Sequence, residues 1–474
     1  MSLSDAIDPP PRARTGEALP GGAHLAFGVA TASYQVEGAP SADGKGPSIW
    51  DTFTQVPGAV EDGSDGSVAC ASYPDPGPDV DLVAGLGVDW YRFSLAWPRI
   101  VPDGSGPVNG PGLDYYARLV DALLEHGVTP MATLYHWDLP QPLEDRGGWL
   151  ERETPERFAD YAAAVHDRLG DRVRLWATLN EPWCSAYLGY GSGRHAPGKQ
   201  VGGRAHRAAH HLMLGHGLAA ARLREAGADG VGIVLNLAPV LAETDAAADI
   251  RDGVDALRNG IWLHPLVAGE YDAATLRVAP VLEDPDLVRP GDLDLVRDSA
   301  DWLGVNYYTP SRVAAVGDVP ANEDSDEDDL DVAAFPGVGD FRSVAREPRT
   351  EMGWEVHADS LRDLLVDTHR RTGLPLLVTE NGAAYADRAR LPDGRVDDAD
   401  RVDYLAAHLA AIDAARAAGA DVRGWLVWTL LDNFEWSHGY TKTFGIVEVD
   451  RTDLRRTPKR SYDWLADLVR ARRP

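Results

Sequence analysis

Two stretches end an apolar run in a carboxylate, and their chemistry has to be explained first. One is Leu376-Leu377-Val378-Thr379-Glu380-Asn381-Gly382, the other Leu175-Trp176-Ala177-Thr178-Leu179-Asn180-Glu181-Pro182. Runs of this kind read as strands buried on both faces. A charge at the end of a buried strand is costly unless it is paired, hydrogen-bonded or used in chemistry. A Glu delivered by each of two strands to one end of a sheet points to carboxylate-pair catalysis. One group then donates a proton to a leaving oxygen, while the other, ionised, attacks or activates water.

Further strand ends carry Gln35, Arg92, His136-Trp137, Asn306-Tyr307-Tyr308 and Trp428, and a loop adds Asp432-Asn433-Phe434-Glu435-Trp436. Each alone is more often a satisfied structural contact; their joint occurrence at one end is the signal. Amides, carboxylates and an imidazole suit adjacent sugar hydroxyls, and indoles suit the apolar face of the ring. Arg92 would hold a neighbouring carboxylate ionised, and Tyr308 would donate a hydrogen bond to it. That ionised partner raises the proton affinity of the other Glu and keeps it an acid near neutral pH.

The elements that must position these groups follow from periodicity. Strands are predicted at 25–32, 88–94, 129–135, 175–180, 230–237, 302–307, 376–380 and 424–430. Helices are predicted at 79–87, 113–126, 154–169, 204–226, 253–268, 359–372, 401–418 and 461–470, with Thr154 as a cap and Pro155 at the first helical position. This regular alternation, with no linker to divide it, predicts an α/β fold, a single (β/α)8 TIM barrel with extended loops at the C-terminal face of its strands. Residues 23–474 form the one catalytic domain, and the polar, Pro-rich 1–22 form a disordered or loosely packed tail. The acidic stretch 323–331 reads as a solvated rim; it lacks the ligand spacing of a calcium loop.

A net charge of −29, from 45 basic and 74 acidic residues, disfavours nucleic acid and anionic membranes as partners. No run of 18 apolar residues spans a bilayer, and the N-terminus lacks a signal-peptide core, so a cytoplasmic location is expected. Cys70 and Cys184 form no disulfide framework, and Cys184 reads as a small buried thiol. His206 and His210 have metal-ligand spacing but read as helix packing, and neither a metal nor a cofactor is expected. The 14 Trp divide between core and ring stacking, while Tyr34 and Trp50 read as wall and core.

From Phe27 to Trp464 the chain resembles glycoside hydrolase family 1, the β-glucosidase family. The matching stretches begin with Phe27-Gly28 through Tyr34-Gln35-Val36-Glu37-Gly38, Tyr91-Arg92-Phe93-Ser94 through Trp97-Pro98-Arg99-Ile100, and Tyr135-His136-Trp137-Asp138-Leu139-Pro140. Thr178-Leu179-Asn180-Glu181-Pro182-Trp183, Asn306-Tyr307-Tyr308-Thr309, Thr379-Glu380-Asn381-Gly382 and Leu431-Asp432-Asn433-Phe434-Glu435-Trp436 complete the set. The segment from Cys70 to Pro76 departs from it, standing where the family carries His and Arg, and locally altered packing is expected there.

The resemblance implies Glu181 as acid/base and Glu380 as nucleophile, with retention of configuration and carboxyl groups ~5–5.5 Å apart. Arg92, Asn306 and Tyr308 would support them, and Asn180 would contact the 2-hydroxyl. Gln35, His136, Trp137, Glu435 and Trp436 would bind the other hydroxyls, Trp428 the ring face, and Phe444 would lie near the hydroxymethyl group. Trp183 and Leu188 would narrow the leaving-group channel, and weak inhibition by glucose is expected from them. Glu435 would repel a sugar phosphate, and Glu181 stands where the thioglucosidase branch has Gln. The implied activity is exo-hydrolysis of terminal β-D-glucosyl units from short oligosaccharides such as cellobiose or from aryl glycosides. Gluco, galacto or fuco preference, hydrolysis against transglycosylation, and oligomeric state stay open. A non-catalytic glycan-binding barrel would normally lose one Glu, and a metal-dependent barrel enzyme needs a His/Asp cluster where only His136 is found.

Overall fold

The computed structural model describes residues 19, 22, 24–318 and 331–473. The predicted tail 1–22, apart from Leu19 and Gly22, and the acidic stretch 323–331, apart from Asp331, lie outside the described residues. Eight strands close into a parallel barrel: β1 Ala26–Ala30, β2 Trp90–Ser94, β3 Thr129–Tyr135, β4 Leu175–Asn180, β5 Gly230–Leu235, β6 Trp302–Asn306, β7 Leu376–Asn381 and β8 Val422–Trp428. They neighbour one another in chain order, and β8 returns to β1 with Gly424 opposite Ala26. Helices including Gly77–Leu86, Gly110–Glu125, Glu153–Leu169, Ala205–Glu225, Ala358–Thr372 and Ala399–Ala417 fall between them, and Arg460–Arg472 closes the chain.

An eight-stranded barrel has an interior just wide enough for side chains. Trp90, Leu175 and Trp302, the first residues of their strands, fill it together with Met131, Val234, Leu377 and Leu426, and Leu19 is buried in the same cluster. The two indoles need glycines beside them. A Cβ on Gly424 would stand 2.2 Å from the Trp90 ring, and one on Gly232 2.3 Å from that of Trp302. With this end packed solid, the chemistry is confined to the C-terminal mouth.

The elements have the predicted kind and order, but some ends differ. Thr154 does not cap its helix, which starts at Glu153 with Arg152 at the cap; its hydroxyl donates instead to the Gly148 carbonyl at 2.6 Å. β5 stops at Leu235, and β8 starts and ends two residues before its predicted limits. The helix predicted at 253–268 begins at Ala248 and passes through a π-helical stretch, Ala256–Gly260, before Ile261–Ala268. The sequence reading also missed a three-stranded sheet of Val240–Ala242, Ser311–Ala315 and Phe341–Ser343, and a pair of Val447–Val449 with Arg456–Pro458. Segments of three to five residues are too short to show a period.

A buried ionic cluster clamps the loop after β8 to the loop after β7. Lys459 is fully buried and donates to Asp387 at 2.5 Å and Asp432 at 2.8 Å. Arg401 donates to Asp387, to Asp398 and to the carbonyls of Ala383 and Thr443. Asp432 also accepts the Gly445 N–H at 2.9 Å. Burial raises the Asp432 carboxyl against the pull of Lys459 and Arg401, whereas at Asp387 those two cations outweigh burial and hold it below the usual range. Removing one partner of such a set strands the other charges in a dry interior. Lys459→Met should therefore lose ~3–5 kcal/mol of stability at neutral pH. The check is the midpoint of denaturant unfolding, and a loss below ~1 kcal/mol would mean the clamp is dispensable.

Candidate active site

β4 and β7 both break register at their C-terminal ends. The shift lies between Ala177 and Asn180 against β5, and between Val378 and Glu380 against β6. Such irregularities re-aim the side chains that follow. Glu181 then takes a left-handed backbone conformation with φ +46°, tied down by its N–H to the Val234 carbonyl at 2.9 Å. Trp137 at +72° and Trp436 at +48° share that conformation. Non-glycine residues rarely adopt it, and those that do cluster where surrounding contacts enforce a functional geometry.

Arg92 ties the two acids into one network. Its Nη1 donates to Glu380 Oε1 at 2.7 Å, its Nη2 to Asn180 Oδ1 at 2.5 Å and its Nε to Thr133 at 3.0 Å. Asn306 Nδ2 donates to Asn180 Oδ1 at 3.0 Å and to Glu181 Oε1 at 2.7 Å, while its Oδ1 accepts the Thr379 hydroxyl at 2.7 Å. The Tyr308 hydroxyl donates to Glu380 Oε2 at 2.7 Å. Burial pushes the Glu380 carboxyl up, and the charge and hydrogen bond of Arg92, with hydrogen bonds from Tyr308 and Asn306, work against that rise. Tyr308 is held well above the ordinary phenol range by burial, then by the charges of Glu380 and Glu181, so it remains a donor.

The same contacts fix a tautomer. Asn180 Oδ1 receives two donors, so its Nδ2 is the atom 3.1 Å from His136 Nε2, which must accept. The imidazole proton is therefore on Nδ1. Burial first and Arg92 second hold His136 well below its ordinary pKa, and the ring stays neutral.

A cavity at the barrel mouth brings together His136, Trp137, Glu181, Asn306, Tyr308, Glu380, Trp428, Glu435, Trp436 and Phe444. Gln35, Arg92 and Asn180 are buried beneath its wall. Gln35 Nε2 is held by Asn433 Oδ1 and the Phe434 carbonyl, while Gln35 Oε1, His136 Nδ1 and Asn433 Nδ2 have no partner among the described residues. The wall is aromatic: the His136 ring lies parallel to Trp428 at 5.7 Å and to Trp436 at 5.9 Å, and Trp50 and Tyr34 back Trp436 from behind. Nine of the fourteen Trp are fully buried and four line the cavity.

Trp183 is 0% exposed and Leu188 1%, and neither is among the residues that line the cavity. Both point inward from the turns after β4: Trp183 packs against Phe335 and carries the Arg258 guanidinium on its ring at 4.2 Å. Arg258, Asn236 and Ala238 line the cavity as well. His195, Met352, Trp354 and His438 also line it and were missed, because they lie in long loops with no periodic signal. Cys184 lines it too, and its place three residues after Glu181 was the available clue. His206 bonds to Tyr187 at 2.9 Å, and His210 to Tyr271 at 3.0 Å and Asp292 at 3.1 Å, as helix packing requires.

The profile of glycosyl hydrolase family 1 matches residues 18–474. A thermostable β-glucosidase B of Thermobispora bispora is 50% identical over 94% of this chain and 89% of its own. A bifunctional β-D-glucosidase/β-D-fucosidase of Bifidobacterium breve is 45% identical over 94% and 96%. Among solved structures, a psychrophilic β-glucosidase from Micrococcus antarcticus superposes with a TM-score of 0.88 at 43% identity, covering 95% of this chain and 97% of that one. A family 1 β-glucosidase from Thermotoga maritima gives 0.86 at 39% identity, covering 94% and 98%.

Replacing Arg92 by Met removes the one cation bonded to Glu380 among the described residues and leaves burial less opposed. The Glu380 carboxyl should then titrate at higher pH than in the unaltered protein. Infrared difference spectra of the carboxyl stretch, or the acid limb of the kcat/KM profile, would show this as a move to higher pH. An unmoved titration would mean that Arg92 does not set the charge of Glu380.

Proposed function

Because the chain belongs to glycosyl hydrolase family 1 and is a glycosidase of the β-glucosidase kind, we propose that it acts by double displacement, as a retaining exo-enzyme on terminal β-D-glucosyl units. The observation that carries this reading is the unlike pairing of two buried Glu in one cavity. Glu380 faces a cation and a phenol, whereas Glu181 faces an amide and a thiol.

In the first step a Glu380 oxygen attacks the anomeric carbon and the glycosidic bond breaks, with the leaving oxygen taking the proton from Glu181. Esterification removes the Glu380 charge and with it the charge-assisted bonds from Arg92 and Tyr308. Those donors favour the free carboxylate, so they also make Glu380 a good leaving group in the second step. Water then attacks the same carbon, gives its proton to the Glu181 carboxylate and releases the sugar. Two inversions give net retention.

For the sugar itself, the unpartnered Gln35 Oε1 offers an acceptor, and Asn433 Nδ2 and His136 Nδ1 offer donors, to hydroxyl groups. We assign Asn180 to the 2-hydroxyl, Glu435, Trp137 and Trp436 to further hydroxyls, and Trp428 to the ring face. Phe444, Met352 and Trp354 line an apolar part of the cavity. A methyl group fits there as well as a hydroxymethyl, and the relative named for both β-glucosidase and β-fucosidase activity accords with accepting both. A sugar phosphate would meet the Glu435 carboxylate, so unphosphorylated substrates are favoured. Substrates are small β-glycosides, with cellobiose and aryl glucosides the first choices. No described helix is long and apolar enough to cross a membrane.

Glu380→Ala should abolish turnover of every substrate. Glu181→Ala should slow cellobiose far more than an activated dinitrophenyl glucoside, and azide should rescue it to give the β-glucosyl azide. An α-azide would contradict retention. Equal losses on both substrates would remove Glu181 from the acid/base role.

A further inference from the structure

The two oxygens of the Glu181 carboxyl have different neighbours. Oε1 accepts the Asn306 N–H at 2.7 Å, and because Asn306 Oδ1 is engaged by Thr379, that amide nitrogen can only donate. Oε2 faces the Cys184 sulfur at 3.2 Å, and Asn236 Nδ2 donates to the same sulfur at 3.4 Å. Cys184 is buried one turn beyond Glu181, and it lines the cavity beside Asn236. A sulfur that receives an N–H on its lone pair directs its own S–H elsewhere, here to the carboxylate.

We infer that Cys184, oriented by Asn236, is a positioning residue for the acid/base: it makes Oε2 the oxygen that gives and takes the proton. This rests on the acid/base role assigned to Glu181 above. With a fixed N–H against Oε1, that oxygen behaves as the carbonyl and the proton resides on the other. A thiol is a weak donor, so it orients Oε2 without stabilising the ionised form strongly. A hydroxyl in its place would favour the carboxylate more and loosen its hold on the proton; an alkyl group would do the opposite. The other charged or titratable groups around the cavity are Glu380 with Arg92 behind it, Tyr308, His136, His195, His438, Glu435 and Arg258. All are unchanged in the substitutions below, so differences between variants isolate the thiol.

The measurement is the alkaline limb of kcat/KM on cellobiose, where a poor leaving group needs the acid. Cys184→Val should move that limb to higher pH by about half a unit, and Cys184→Ser to lower pH by a similar amount. Asn236→Ala keeps the thiol but removes the donor that orients it, and should shift the limb in the same direction as Cys184→Val. A purely structural role would lower kcat or stability without opposite shifts. If Glu181→Ala removes the limb while both Cys184 variants leave it in place, or move it in one direction, the inference fails and the acid/base assignment stands. If Glu181→Ala leaves the limb unchanged, that assignment falls and the inference falls with it.

Discussion

The mouth of this barrel is assembled around a single buried guanidinium. Arg92 is 1% exposed, and a charge in that position must be fully paired to be tolerated. Its donors go to Glu380, Asn180 and Thr133. From there Asn180 and Asn306 carry the ordering across to Glu181. The acids stand on β4 and β7, separated by two strands of the barrel, and this hydrogen-bonded chain is what holds their side chains relative to each other. A network in which every member is satisfied has one arrangement, and it resists the small displacements that catalysis tolerates poorly.

Burial alone does not distinguish the two carboxyls, which are 5% and 3% exposed. Their neighbours do. Glu380 receives a charged donor on one oxygen and a phenol on the other, and these oppose the upward push of the dry interior. Glu181 receives a neutral amide and a thiol, which favour its ionised form much less. In the proposed cycle the first remains a nucleophile and the second remains able to hold and return a proton. The neutral His136 ring beside them adds no charge that would blur this difference.

The rest of the chain serves to keep that site at one end and enclosed. Indoles packed against glycine fill the barrel interior, so there is no room for a second site inside the strands. The long loops bring an aromatic wall around the mouth, and the Lys459–Arg401 cluster clamps the loop that contributes Glu435 and Trp436. Of only four Lys in the sequence, one is buried at this clamp, while Lys45 pairs with Asp51 and Lys199 with Glu144, both at 2.7 Å. Lysine is thus scarce, and at Lys459 and Lys199 a single point charge joins segments distant in sequence.

Strand order, the closed barrel and the pair Glu181 and Glu380 were legible in the sequence, because buried strands announce themselves as apolar runs and a charge at their ends stands out. The helix start at Glu153, the small outer sheet and the cavity residues Met352 and Trp354 were not. Each depends on a loop's path, and loops carry no period. Trp183 and Leu188 illustrate the limit: their neighbourhood to Glu181 along the chain was plain, but their burial in the core cluster was not. Local pattern therefore determined which strands form and which residues stand at their ends. Tertiary structure alone decided which of those residues face one another, because hydrogen-bond partners such as Arg92 and Glu380 lie hundreds of residues apart and meet only when the barrel closes.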